Sequence, residues 1–281
     1  MNVPDVPGMG ARRAHGQSRR HRVFCRSRVL TAAVVLQLCA LSQPERAGAQ
    51  VAGHGGGQSP PTVGLDRVVR VFVLTEVLEV APAVEGRPIR LDGTGWIGGD
   101  YNRVWFRVDA EQATDGADSD LAGEINYGRL VSPFWTALAG VRVESTRGGE
   151  RKRATRGLLA LGFEGIAPYW FTMEPSLYVS AAGDVSARFS TAFDLLLTQR
   201  LILQPRLEAH AAVQDVPEFG IASGINDVEL GARVRYEIRR EFAPYVGFFW
   251  FRRTGGAAGI ARAAGEGVRE AGLVAGLRVW R

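Results

Sequence analysis

From Asp66 onward, apolar and polar residues alternate along most of the chain. Leu201, Leu203, Pro205, Leu207, Ala209 and Ala211 fall on one face, and Gln204, Arg206, Glu208 and His210 on the other. Val228, Leu230, Ala232, Val234, Tyr236 and Ile238 alternate in the same way with Glu229, Arg233, Arg235, Glu237 and Arg239. A period of two is the signature of a β-strand, whose successive side chains point to opposite sides. Twelve such segments are predicted, at 68–80, 88–98, 101–112, 120–131, 135–146, 155–166, 169–181, 186–198, 201–212, 226–238, 243–253 and 271–280. Their lengths sit near the ~9–11 residues that a tilted strand needs to cross a bilayer. An even strand number suits a single-chain outer-membrane barrel.

The connections follow the same plan. With the N-terminus in the periplasm, every second turn should be short, and these read GGDYN, VSPFW, APYW, TQR and RREFAP. Four of the outer connections are longer: QATDGADSD, STRGGERKRA, QDVPEFGIASGI and TGGAAGIARAAGEGVRE. Tyr101, Phe134, Trp135, Tyr169, Trp170, Phe171, Phe242 and Tyr245 gather at or beside the short turns. Tyr and Trp favour the lipid–water boundary, where the ring meets hydrocarbon and the polar tip stays wet. A soluble β-sandwich or lipocalin-like barrel would turn its apolar faces inward. Here one face of nearly every strand carries Arg and Glu, which a dry core holds only at a cost of several kcal/mol per unpaired charge, as an order of magnitude. The pattern predicts an all-β chain, a transmembrane antiparallel β-barrel of about 12 strands over residues 66–281.

Two segments precede the barrel. Residues 1–49 carry a basic leader (Arg12, Arg13, Arg19, Arg20, Arg22, Arg26, Arg28), an apolar run from Val29 to Leu41, and the small residues Ala47-Gly48-Ala49. This is the layout of a signal peptide cleaved after Ala49. Residues 50–65, rich in Gly and Pro, read as a flexible arm.

Charge and cysteine change the picture once this division is drawn. Residues 1–49 hold eight Arg and only two acids, Asp5 and Glu45; of the chain's 34 basic and 29 acidic residues, 26 and 27 remain beyond them, a net of −1. The formal charge of +5 therefore belongs to the leader. It is no nucleic-acid footprint, and Lys152 is the one Lys in the chain. Both cysteines, Cys25 and Cys39, lie in the leader, so the processed chain would carry no disulfide, thiolate ligand or Cys nucleophile.

Candidate chemistry is sparse. After processing, the histidines are His54 in the arm and His210 near the outer end of a strand. Glu208 shares the lumen face of His210, and Asp215 lies close in sequence. A carboxylate–His pair can bind a metal or serve a hydrolase at the rim. Residues 208 and 212 are Glu and Ala, so His210 has no Ser two places away on its own face. Arg142, Arg188, Asp194, Arg206, Glu229, Arg233, Arg235 and Glu237 are expected to line the lumen, as a selectivity filter or as ion pairs that brace a narrow barrel.

The stretches GWIGGDYNRVWFR (95–107), RLVSPFWTALAGVR (129–142), GIAPYWF (165–171), FDLLLTQRLILQPRLE (193–208), SGINDVELGARVRYEIRREFAPYVG (223–247), ARAAGE (261–266) and VAGLRVW (274–280) resemble the copper resistance protein B family, in the same order and across nearly all of 66–281. The resemblance implies a Gram-negative outer-membrane location, copper binding and homeostasis, and a part in copper tolerance without enzymatic chemistry. It implies copper ions, outer-membrane lipid and periplasmic copper-resistance proteins as partners. Members of that family often carry a Met- and His-rich segment before the barrel, whose soft and borderline ligands suit copper. Here that arm holds only His54, and Met173 is placed by parity on the lipid face. The family usually ends in an aromatic residue, whereas this chain ends Trp280-Arg281. With the resemblance, the candidate metal ligands are His54, His210 and Glu208. A general small-solute channel and a rim-site barrel hydrolase remain as alternatives.

Overall fold

The computed structural model describes residues 68–281, apart from 85, 87, 115–118 and 148–152. The strands are β1 (Arg70–Val80), β2 (Ile89–Gly98), β3 (Asn102–Gln112), β4 (Ser119–Ser132), β5 (Trp135–Arg147), β6 (Ala154–Ala167), β7 (Phe171–Ser180), β8 (Val185–Phe193), β9 (Leu195–Leu196), β10 (Leu201–Ala212), β11 (Gly224–Tyr236), β12 (Phe242–Arg253) and β13 (Arg269–Trp280). β8 and β9 are two pieces of one stave, both paired with β10. Each stave pairs antiparallel with its neighbours, and β13 returns to β1 through Leu74↔Trp280 and Val80↔Ala275. The result is a closed barrel of twelve staves, which leaves no edge strand with unpaired backbone groups.

Closure sets the two faces. Val71, Ile97, Val104, Ile125, Val141, Leu159, Leu230, Val246 and Leu273 are exposed on the outer wall. Most of their sequence neighbours point inward and are less exposed, among them the buried Trp105, Glu124, Asn126, Leu158, Ala160, Tyr245 and Val274. Asn126 is 1% exposed, Ala160 2% and Glu79 3%, so side chains fill the barrel at mid-height. Glycine makes room for this filling where large rings lie flat. A Cβ on Gly128 would stand 2.4 Å from the Trp105 ring, and one on Gly276 would stand 2.5 Å from Tyr245 Cζ.

Each observed stave begins and ends within two residues of its predicted bounds, and three differences have a visible cause. The stave expected from 169 starts at Phe171, because Pro168–Trp170 form a 3₁₀ turn with Tyr169 and Trp170 at φ 65° and 66°. The stave expected over 186–198 breaks at Asp194, whose carboxylate turns to Arg235 and Gln204. The last long connection contains a helix, α1 (Gly255–Ala263), where only a loop was expected. Ala257, Ala258 and Ala261 are its buried side. Alanine favours the helix, but the interspersed Gly255, Gly256 and Gly259 mask the signal in the sequence. The expected signal peptide (1–49) and arm (50–65) lie outside the described residues.

Candidate functional site

Charged side chains meet across the lumen between strands that are not neighbours. Arg107 Nη2 on β3 donates to Glu164 Oε2 on β6 at 2.7 Å. Arg206 Nη2 on β10 donates to Asp92 Oδ2 on β2 at 3.1 Å. Arg90 on β2, which also holds its cross-strand partner Glu111 on the adjacent β3 at 2.7 Å, reaches Glu229 on β11 at 3.0 Å. Such contacts are possible only through the interior.

The residues predicted to line the lumen belong to this network. Arg142 bonds Asp109 at 2.9 Å and lies 5.1 Å from the centre of the Tyr178 ring. Arg188 Nε donates to Glu208 Oε1 at 2.7 Å, and Arg206 Nη2 to Glu208 Oε2 at 3.1 Å. Arg233 grips Glu79 with two bonds of 3.0 and 2.9 Å, and Tyr245 adds a third at 3.1 Å. Arg235 holds Asp194 with bonds of 3.0 and 2.6 Å. Glu237 lies just past the end of β11, 3.7 Å from Arg235. Planar guanidinium against carboxylate is the geometry that best repays the desolvation of both charges.

Above this network, toward the long-loop end, lies a cavity of about 240 Å³. Glu111, Asp120, His210, Asp227 and Glu270 line it together with Arg90, Arg253 and the apolar Phe249, Phe251 and Val274. His210 is the histidine of the described residues, and its side chain is 42% exposed, so the ring is reachable. Its Nδ1 lies 2.7 Å from Asp227 Oδ1, and its Nε2 lies 3.5 Å from Glu208 Oε1. The register explains the first contact, since His210 is the cross-strand partner of Asp227. Asp227 is seventeen places away and could not be found by looking along one strand. Asp215, close in sequence, instead accepts the Ser223 backbone N–H at 2.6 Å and ties off a loop.

The pieces are only part of a metal site. Among the described residues, no group of three or more His, Cys, Asp or Glu is arranged to hold a metal ion. Glu208 is already engaged by two arginines. His54 lies outside the described residues. Among those residues, no hydroxyl hydrogen-bonds His210, whose two ring nitrogens both face carboxylates.

The family model for "Copper resistance protein B precursor" matches residues 69–281. The chain belongs to the copper resistance protein B family. It is 36% identical over 215 residues to "Copper resistance protein B" of Escherichia coli, covering 76% of this chain and 71% of that protein. The same identity and coverage hold for the "Copper resistance protein B homolog" of Pseudomonas syringae pv. tomato (strain ATCC BAA-871 / DC3000). Among solved structures, the NanC porin is similar at a TM-score of 0.48 and 12% identity, over 75% of this chain and 99% of that one. A copper resistance protein B with a closed, lipid-faced barrel is a protein of the Gram-negative outer membrane. The short turns then face the periplasm and the long loops the outside.

Proposed function

We propose that this member of the copper resistance protein B family is a non-enzymatic protein that binds copper at its outer mouth and so contributes to copper homeostasis and tolerance. The observation that carries the reading is His210 beside Asp227 in an acidic, solvent-reachable cavity. Imidazole with carboxylate suits Cu(II) better than Cu(I). His210 and Asp227 would supply two ligands, with Glu208 behind them, and His54 of the arm a further imidazole. The surplus of carboxylates at the mouth draws cations toward that point. The ion pairs that cross the lumen favour binding over a general small-solute channel. The two carboxylates facing His210 favour metal binding over a rim hydrolase, which needs a nucleophile there. Periplasmic copper-resistance proteins would be partners on the short-turn side.

Calorimetry on purified, refolded protein tests the ligands. His54→Ala with His210→Ala should remove most Cu(II) binding, and binding by the unmodified protein should weaken as pH falls, because protons compete with copper for the imidazoles. Undiminished binding in the double variant would mean that other residues hold copper. A deletion strain should grow less well across rising copper. No binding by the unmodified protein, together with no copper phenotype, would return the reading to a channel.

A further inference from the structure

The outer wall of the barrel is not smooth. Between β6 and β11, on the side away from the lumen, it carries a groove of about 510 Å³. Small side chains from neighbouring strands line it: Ala187 on β8, and Ala209 and Ala211 on β10. Phe163, Leu177 and Ile225 are among the larger residues beside them, and these three are exposed. The lining is almost wholly apolar. The strand period explains the contrast with the lumen, since Ala187, Ala209 and Ala211 alternate with the inward-facing Arg188, Glu208 and His210.

We propose that this groove binds one acyl chain of an outer-leaflet membrane lipid. It is continuous with the lipid-facing wall, and on β8, β10 and β11 it uses residues near the long-loop ends. Water is a poor occupant, because an apolar groove offers it no hydrogen bonds. An empty groove forfeits the dispersion contacts of its lining. Within hydrocarbon there is no hydrophobic driving force to hold a guest, so retention comes from shape. A flexible chain lying in the groove meets the taller Phe163, Leu177 and Ile225 beside the small Ala187, Ala209 and Ala211, and so gains contacts that an even wall does not offer. The convex wall of a second barrel would meet only the rim.

Native mass spectrometry of the barrel, extracted from outer membranes in mild detergent, tests this without reference to copper. The unmodified protein should retain a bound lipid. Ala209→Phe with Ala211→Phe fills the groove with apolar rings that remain compatible with the bilayer, and the lipid should be lost. Ala275→Phe, on the lipid face of β13, should retain it. Heat-modifiable mobility on gels confirms that each variant is folded. Retention of the same lipid by the filled variant would overturn the proposal. A dimer seen for the unmodified protein and lost in the filled variant would overturn it too, and would assign the groove to a second copy. Neither readout measures copper, and the unmodified protein can be tested for each ligand separately, so failure here leaves the metal reading standing, and the reverse.

Discussion

Glu79 has one of the most buried side chains in the barrel, with 1% of it exposed, and it accepts three hydrogen bonds, two from Arg233 and one from Tyr245. A carboxylate in that position is tolerated because its charge is matched and its oxygens are satisfied. Removing one partner strands the other. Glu79→Ala is expected to destabilise the barrel by roughly 3–5 kcal/mol. Glu79→Leu with Arg233→Met, which removes both charges and keeps the volume, should cost less than the single change. Denaturant unfolding in detergent measures both; equal losses would show that the pair is not the source of the stability. Asp227 makes the same point for the candidate site. Its distance from His210 in the chain hides it, and only the pairing of β10 with β11 brings the two together.

On the scale of an element, β11 shows how strictly the two faces are divided. Leu230 is half-exposed on the outer wall, while Glu229 beside it reaches Arg90 across the lumen. Leu230→Arg should cost roughly 2–4 kcal/mol near the bilayer midplane. Glu229→Gln should assemble normally, since it keeps a hydrogen-bonding side chain facing Arg90. If the two variants fold into vesicles and resist denaturant alike, the division of faces is wrong. Alternation also explains where the prediction of elements stopped short. It locates the twelve staves, but it carries no term for the pull of Arg235 on Asp194, which ends β8 at Phe193. The turn at Pro168 is legible in the sequence as APYW, but alternation alone starts the next strand at 169, two residues before β7 begins at Phe171.

The described residues form one closed barrel with side chains packed across much of its interior. Ion pairs cross it from β2 to β11, from β10 to β2 and from β3 to β6, with Glu79, Glu124, Asn126 and Arg107 buried among them. A barrel so filled should carry no steady current in planar bilayers. A sustained ion current from the unmodified protein would show an open path and would favour the channel reading. The sequence by itself determined the barrel, the count of staves and which residues face lipid, because a strand in a membrane repeats every two residues and leaves that period in the chain. It also carried the family, through long matching stretches in a constant order. Only the tertiary structure decided which charged residues pair across the lumen, that Asp227 is the partner of His210, and that small residues on neighbouring strands meet in a groove. Each of these depends on which strands come together and at what register, and closure of the barrel sets both by joining residues far apart in the chain.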